Sequence, residues 1–449
     1  MNRWFVILLV MIAVICLPQL LVSSPLTAAV IAVAGVCLVI WLSEIAPPFV
    51  PTILLWALIP LVVAPFDPSL SLARVLDWAA DPVLALFLGG FAMGVAAELY
   101  GLDRQLIAFA IRYSGGSYRG LLFLVIFLTA FLSMWLSNIA AAALMFACLR
   151  TWLAEFGEED LGRRMLLLGV ALGADLGGIA TPIGTGPNAV AIASISETMP
   201  VSFIGWMVFA FPLTIGMLII SYIFLVWRNR TIVASEAWRG YRKQIKPVSL
   251  DEVATRQRGI LICLMVVTIL FWLAEPIHGI PAAVISLCTT AALFLLGTLS
   301  KESLRKIDWS TLLLISGGIT LGKLLEATNT VGTFIAEISL DGIDPRIGLF
   351  VLCLFTALLA ALMSNTASVI MMIPIATALI PSPSTPIIIA ISASFGIPFI
   401  ISTPPNAMAY GEGGLRATDL LWPGLLIMIS GCFVVSFTGR EMLALVGFR

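Results

Sequence analysis

The chain has 449 residues, of which 60% are hydrophobic and only 11% are charged, and its formal net charge is -1. Because ordinary soluble domains carry about 25% charged residues, this composition excludes a soluble globular protein and predicts an integral membrane protein. The sequence contains no nucleic-acid-binding signature, so the expected surroundings are a lipid bilayer.

Apolar runs recur along the whole chain. An α-helix needs about 17 to 25 apolar residues to cross a hydrocarbon core ~30 Å thick. Two runs, 119–153 and 345–380, are each interrupted near the centre by a Ser-Asn pair, and we predict that they form re-entrant hairpins. The other runs predict eleven spans, at 4–22, 26–43, 48–66, 81–100, 163–196, 200–227, 259–277, 280–298, 309–327, 386–410 and 418–439. The predicted fold is therefore an all-α polytopic membrane protein.

The Lys and Arg residues predict its orientation, because these residues concentrate in cytoplasmic loops. If the N-terminus is inside and each hairpin enters and leaves on one side, 19 of the 24 basic residues lie inside. Eight of them fall between Arg228 and Arg258, so residues 231–258 are predicted to be a cytoplasmic connector. We expect a multi-pass protein of the inner (plasma) membrane with a cytoplasmic N-terminus and a retained first helix, residues 1–22.

Three landmarks occur twice, in the same order. LFLGGFAMGVAAELYG (86–101) returns as LISGGITLGKLLEATN (314–329), at an offset of 228 residues. The Ser-Asn pair at 137–138 returns 227 residues later, and TGPNAVA (185–191) returns as TPPNAMA (403–409) after 218. This order predicts an internal duplication. With five crossings in each half, the halves would form an inverted repeat, as in many secondary transporters.

The predicted domains follow from this duplication. Repeat 1 covers 23–230, with scaffold helices in 23–100 and a hairpin and broken helix in 103–225. Repeat 2 covers 259–449, with scaffold helices in 259–327 and a hairpin and broken helix in 330–449.

The repeated motifs have a chemistry suited to ions. Proline removes an amide donor and clashes with the preceding turn, so helices are predicted to break at 185–188 and 403–406. We expect Ser and Asn at each hairpin tip to cap the second arm with side-chain oxygens, which leaves a positive helix end for an anion. Side-chain oxygens and unwound carbonyls suit a small hard cation. No Lys or Arg lies near either tip or break, so a bound dianion would need co-bound cations.

At this level of detail the motifs LSNIAAAA, MSNTASVIMMIP, GGIATPIGTGPNAVA and ISTPPNAMA resemble those of the divalent anion/sodium symporter family. The resemblance covers essentially the whole chain. It implies sodium-coupled uptake of a divalent anion, such as a C4-type dicarboxylate, with co-transported sodium and neither an organic cofactor nor enzymatic activity. It also implies a homodimer in which a transport domain moves against a scaffold, an elevator-type mechanism.

The matched motifs also imply site residues. Substrate would be contacted at both tips and both breaks, by Ser137, Asn138, Ile139, Ser364, Asn365, Thr366, Pro187, Thr403 and Pro404. One sodium ion would be bound by Ser133, Ser137, Asn138 and Gly184, and another by Asn365, Ser402, Thr403 and Pro404.

Two residues depart from the family pattern. Ile139 replaces the usual Thr, which removes a hydroxyl donor from the first tip. Asp175 stands where small neutral residues are usual. Acids inside a membrane are costly and commonly functional, so Asp175 is a candidate ion-coupling acid, although a purely structural role is an equal alternative.

Other interpretations of these motifs fit the sequence less well. A single Ser or Asn in a membrane helix usually makes an interhelical hydrogen bond worth ~0.6 kcal/mol, but the duplication with its Pro-Asn motifs favours a site. An intramembrane hydrolase would need a nucleophile with a base, and the apolar core contains no histidine. A channel would not need two opposed half-sites. The alternative left open is a proton-coupled or exchange carrier of sulfate or another small anion, with Asp175 as the titrating group.

Overall fold

The computed structural model describes residues 3–43, 45–101, 118–153, 160–197, 199–228, 252–335 and 344–445. All regular elements in these residues are helical, which confirms the all-α prediction. The first part of the chain contains α1 (Arg3–Leu21), α2 (Pro25–Ser43), α3 (Val50–Leu58, continued by a π-helical turn, Ile59–Val63), α4 (Leu72–Ala79), α5 (Pro82–Leu99), α6 (Tyr118–Ser133), α7 (Asn138–Leu153), α8 (Leu161–Gly177, followed by a 3-10 turn, Gly178–Ala180), α9 (Gly186–Ile195) and α10 (Phe203–Arg228).

The second part of the chain is also a series of longer and shorter helices. It contains α11 (Glu252–Leu273), α12 (Glu275–His278), α13 (Ala282–Leu295), a 3-10 helix (Lys301–Lys306), α14 (Trp309–Ala327), α15 (Thr330–Ile335), α16 (Pro345–Leu362), α17 (Asn365–Leu379), α18 (Ser384–Ala393), α19 (Pro404–Gly411) and α20 (Ala417–Leu445). Most of the predicted connector 231–258 lies outside the described residues.

The observed helices correspond to the predicted spans in different ways. Six helices of the described residues are long and apolar enough to cross a membrane: Pro82–Leu99, Phe203–Arg228, Arg256–Leu273, Trp309–Ala327, Pro345–Leu362 and Ala417–Ala444. Five of them match predicted spans, and the sixth, α16, is an arm of the second hairpin. The predicted spans 163–196 and 386–410 are the broken pairs α8–α9 and α18–α19. The remaining predicted spans, 4–22, 26–43, 48–66 and 280–298, correspond to α1, α2, α3 with its π-helical turn, and α13, so the fold is a polytopic bundle of helices of unequal length.

Long-range polar contacts agree with the predicted sidedness. Four such contacts each join two residues predicted to lie on the same side of the membrane. The inner pairs are Arg163 with the Glu412 carbonyl and Tyr100 with the Thr298 carbonyl, and the outer pairs are Lys323 with Glu197 and Arg346 with Glu441. Which side is cytoplasmic stays a prediction.

The repeated Gly-Gly pairs of α5 and α14 make close contacts with neighbouring helices. A Cβ on Gly89 would lie 2.5 Å from the Ser286 Cβ on α13, and a Cβ on Gly317 would lie 2.9 Å from the Thr52 Cβ on α3. The first glycine of each pair therefore packs against a helix of the opposite half. Small residues permit this close approach between membrane helices.

The second glycine of each pair faces the hairpins and broken helices. A Cβ on Gly90 would lie 3.0 Å from Ile183 Cδ1, in the loop before α9, and a Cβ on Gly318 would lie 2.6 Å from Ile370 Cδ1 on α17. The second glycines thus contact different elements, the loop of the first break and the second arm of the second hairpin. Without side chains at these positions, α5 and α14 present a smooth surface towards the elements that carry the motifs.

The tight Gly317 contact predicts a local stability effect. In Gly317→Ala, the new methyl group would displace the Thr52 side chain, whose hydroxyl donates to the Leu313 carbonyl at 3.0 Å. Overpacking of this kind costs about 1 to 3 kcal/mol, so we expect a lower melting temperature for the purified protein. Gly322→Ala, on the same helix with no heavy atom within 4 Å of its Cβ, is the control and should keep or raise it. Equal melting temperatures would contradict this packing.

Candidate functional site

The first hairpin tip joins α6 to α7 through residues 134–137. The Ser137 Oγ accepts a hydrogen bond from the Ala140 amide at 3.2 Å, which is the helix cap expected from the sequence. The Asn138 Oδ1 turns back and accepts from the Ser133 Oγ at 2.7 Å. The tip therefore places two polar side chains of α6 and α7 in direct contact.

The first break follows α8, and its loop is held by a side-chain amide. The Asn188 Nδ2 donates to the carbonyls of Gly178, at 3.0 Å, and Thr181, at 2.8 Å. These carbonyls lie where the helix has ended, and a buried backbone oxygen in a membrane must find its donor within the protein. Asn188 thus stabilises the unwound backbone of the break.

The tip and the break meet at Gly178. A Cβ at this position would lie 2.5 Å from the Asn138 Oδ1 and 2.9 Å from the Gly184 carbonyl oxygen, so only glycine allows both oxygens to approach. The Ser133 Oγ also lies 2.7 Å from the Ala174 carbonyl. Of the residues predicted for the first sodium site, Ser133, Asn138 and Gly184 are brought together here, whereas the Ser137 hydroxyl is used by the helix cap.

The second break is built in the same way. The Asn406 Nδ2 donates to the carbonyls of Ile397, at 2.9 Å, and Phe399, at 3.1 Å. The Thr403 Oγ1 accepts from the Asn406 amide at 3.3 Å and caps α19. The Phe399 carbonyl lies 218 residues after the Thr181 carbonyl, the offset of the repeated Pro-Asn motif. The two breaks therefore share one hydrogen-bonding plan.

The second tip corrects one expectation. Ser364 occupies the N-cap position of α17, but its hydroxyl accepts no amide hydrogen, so the prediction of a side-chain cap is wrong for Ser364. The first turn is closed by the Ser364 backbone carbonyl, which accepts from the Ser368 amide at 3.0 Å and from the Ser368 Oγ at 3.1 Å. The amides at the start of α17 are thus left without a side-chain cap.

Each tip lies against a half-helix of the opposite half. The Thr366 Oγ1 lies 2.5 Å from the position that a Cβ on Gly186 would take, at the N-terminus of α9. Reciprocally, α7 packs against α19. The positive N-terminus of α9 therefore faces the second tip, which is an arrangement that favours a bound anion.

Asp175 links the two clusters. Its side chain is 3% exposed, and its Oδ2 accepts a hydrogen bond from the Thr403 Oγ1 at 2.9 Å. The carbonyl of the preceding residue, Ala174, lies 2.7 Å from the Ser133 Oγ. Two consecutive residues of α8 thus contact the first tip and the second break.

The predicted substrate residues differ in accessibility. Ile139 is 50% exposed and Pro404 is also exposed, whereas Thr366, Thr403 and Pro187 are buried. Ser137, Asn138, Ser364 and Asn365 are partly buried. Within the described residues, no hydrogen bond joins Asn365 to 402–404, so the second predicted sodium site is only partly assembled by direct contacts.

Two residues that hold the site were missing from the predicted set. Asn188 and Asn406 are both completely buried. Their signal was present in the sequence, because both are the repeated asparagine of the Pro-Asn motif.

Unpartnered oxygens concentrate in this region. Among the described residues, the buried amide or carboxylate oxygens that accept no hydrogen bond are those of Asp175, Asn188, Asn365 and Asn406, each through its Oδ1. An unsatisfied buried polar group costs about 1 to 3 kcal/mol. All four belong to the tips or the broken helices, and an oxygen acceptor without a donor is a suitable ligand for a cation.

The asparagine amides predict that the breaks are fragile. Asn188→Ala or Asn406→Ala would leave two buried carbonyls without donors, so each variant should lose about 2 to 4 kcal/mol of stability. Thermal unfolding of the purified proteins would measure this. Thr438→Ala, which removes an exposed hydroxyl bonded to a backbone carbonyl, is the control and should unfold like the wild type. Unchanged stability in both asparagine variants would contradict their proposed role in holding the breaks.

Comparison with known proteins agrees with this geometry. The profile of the family described as citrate transporter (CitMHS) matches residues 1–386. The sodium-dependent dicarboxylate transporter SdcS of Staphylococcus saprophyticus is 24% identical over 438 residues, which cover 88% of this chain and 83% of the relative. The Na(+)/citrate cotransporter of Mus musculus is 23% identical over 520 residues, covering 91% and 90%.

A solved structure shares the fold. Neisseria gonorrhoeae MtrF, described as illuminating a class of antimetabolite efflux pumps, aligns with a TM-score of 0.53 at 14% identity, over 89% of this chain and 96% of that chain. The resemblance to divalent anion/sodium symporters is thus confirmed by the sodium-dependent dicarboxylate and citrate relatives. The chain is a secondary transporter of the membrane, not an enzyme, and it belongs to the citrate transporter family, CitMHS.

Proposed function

We propose that the protein couples the movement of sodium ions to the uptake of a divalent anion, most simply a C4-type dicarboxylate. The observation that carries this proposal is the set of three buried asparagine oxygens without hydrogen-bond partners at the tips and breaks, on Asn188, Asn365 and Asn406. The names of the dicarboxylate and citrate relatives agree with a carboxylate substrate and sodium as the cation.

The charge balance of the site supports co-bound cations. No Lys or Arg occurs in 120–149, 165–227 or 347–415, the segments that contain both tips and both breaks. A dianion buried there has no side-chain cation to neutralise it, and an unpaired buried charge is very costly. Helix N-termini contribute only about half a positive charge each. Sodium ions bound beside the anion would supply the missing charge.

The first cation would bind between the first tip and the first break. Its ligands would be the Asn138 Oδ1, the Ser133 Oγ and the Gly184 carbonyl, which already lie around Gly178. A second cation would bind at the second break, among Ser402, Thr403 and Pro404, with Asn365 approaching from its tip. The anion would then lie between the tips, near Thr366 and the N-terminus of α9.

The proposal also includes the membrane location, the orientation and the assembly of the protein. We place the protein in the inner membrane with its N-terminus in the cytoplasm, because the distribution of basic residues favours that orientation. A homodimer held through the scaffold helices, and re-entrant rather than fully crossing hairpins, are parts of the same proposal that rest on the family resemblance.

Sodium dependence gives a direct test. Uptake of radiolabelled succinate into proteoliposomes should rise steeply with external sodium. In Asn138→Ala the first cation would lose a ligand, so we expect the half-saturating sodium concentration to rise by about 10-fold or more. The exposed-surface variant Ser430→Ala is the control and should behave like the wild type. Undiminished uptake in choline or potassium alone would overturn sodium coupling.

The mechanism gives a second test, because the elements that carry the site should move against the scaffold. Lys323 on α14 forms an ion pair at 2.9 Å with Glu197, which follows α9. A disulfide between Lys323→Cys and Glu197→Cys, in a background lacking the native cysteines, would join scaffold to moving elements and should stop uptake until it is reduced.

A matched pair controls for the cross-link itself. Arg346 and Glu441 form an ion pair at 2.5 Å in which both side chains are 53% exposed, and both residues belong to the group predicted to move. Oxidation of Arg346→Cys with Glu441→Cys should leave uptake unchanged. Normal turnover by fully cross-linked Lys323→Cys with Glu197→Cys would refute the moving-domain mechanism.

A further inference from the structure

Asp175 is a buried acid that the two cation sites described above do not use. It lies near the end of α8, and its side chain is 3% exposed. The residue 218 positions later, which is its counterpart by the offset of the Pro-Asn motif, is Ala393. The acid is therefore a feature of one half only, and the duplicated architecture does not require it.

The two carboxylate oxygens have different environments. The Oδ2 accepts from the Thr403 Oγ1 at 2.9 Å, whereas the Oδ1 is buried and accepts no hydrogen bond. The Thr403 hydroxyl donates its single proton to Asp175 and accepts from the Asn406 amide at 3.3 Å. Asn406, in turn, has an Oδ1 without a partner. Carboxylate, hydroxyl and amide oxygens are thus linked across α8 and the second break.

Within the described part of the chain, no side chain of opposite charge forms an ion pair with this acid. The sequence contains no Lys or Arg between Arg164 and Arg228, and the nearest, Arg164, pairs with Asp419 at 3.9 Å at the start of α8. An acid enclosed in a membrane protein is normally paired or engaged in function. The unpartnered Oδ1 and the surrounding acceptors leave a cation as the missing partner.

We propose that Asp175 is an anionic ligand of a sodium-class monovalent cation, bound between α8 and the second break with the Thr403 and Asn406 oxygens as neighbouring ligands. This inference rests on the proposed sodium coupling and extends it, because it adds a fixed negative charge to the ion site. Without the anionic substrate, the site would still carry this charge, so the substrate-free transporter would keep one cation bound as it returns across the membrane.

The experiment measures cation binding without substrate. Binding of radioactive sodium to purified full-length protein would be counted at constant ionic strength, with choline as the replacement ion. Asp175→Asn should bind one sodium ion fewer per chain than the wild type. Asp81→Asn is the matched control, since Asp81 is also a buried acid but its Oδ1 is satisfied by the Val83 amide at 2.9 Å, and it should bind as many ions as the wild type.

A second variant covers the case in which Asp175→Asn does not fold. Asp175→Glu keeps the charge but moves it by one methylene group, so the ion count should stay the same while the sodium midpoint shifts by about 5-fold or more. An unchanged ion count in folded Asp175→Asn, or an unchanged midpoint in Asp175→Glu, would overturn the inference.

The outcome is separable from that of the proposed function. If succinate uptake depends on sodium but the Asp175 variants bind sodium like the wild type, the proposed function stands and this inference fails. If Asp175→Asn loses a bound ion while uptake ignores sodium, the cation site stands and the proposed coupling fails.

Discussion

Within a membrane, a helix cannot end at mid-depth unless the protein itself supplies donors for the carbonyls that lose their helical partners. Asn188 and Asn406 meet this requirement with the two hydrogens of one amide nitrogen, each of which is donated to a carbonyl of the unwound segment. Because the amide nitrogen donates to both carbonyls, the orientation of the side chain is fixed, and its amide oxygen points away from these carbonyls. The Oδ1 atoms therefore lack hydrogen-bond partners because of the way in which the breaks are stabilised. A bound cation would be coordinated by oxygens that the fold already holds in place.

The contacts between the two breaks and the two tips have a mechanical consequence. Ala174 and Asp175, adjacent on α8, contact Ser133 of the first hairpin and Thr403 of the second break. Thr366 of the second tip lies at the N-terminus of α9. These contacts join residues of one half to the tip or the break of the other half. A large displacement of either tip would therefore disrupt the contacts at both breaks. Under the proposed mechanism, the ion and substrate sites would therefore travel as one body.

The sequence identified the helical class, the positions of the breaks and the tips, since proline, asparagine and glycine act locally on the backbone. It could not identify contacts between segments that are remote in sequence. The Thr403–Asp175 hydrogen bond joins residues 228 positions apart, and no local pattern reports it. The role of Ser364 was mispredicted for a related reason, because Ser137 and Ser364 are both followed by asparagine but only the Ser137 hydroxyl caps its helix. The length of the apolar runs also predicted each broken pair of helices as a single span, because composition does not show where the helical hydrogen bonds are interrupted.

The two glycines of each Gly-Gly pair have opposite mechanical effects. Gly89 and Gly317 bring α5 and α14 into close contact with helices of the opposite half, which stiffens the scaffold. Gly90 and Gly318 present a surface without side chains to Ile183 and Ile370, so this interface is apolar and smooth. Sliding along such a surface would exchange one set of apolar contacts for another without exposing backbone polar groups to lipid. The Lys323–Glu197 ion pair lies at the edge of this interface, where Glu197 is exposed and its charge can be solvated once the pair separates. Under the proposed mechanism, the energetic obstacle to motion would thereby be small at the interface that slides and large within the two bodies that stay intact.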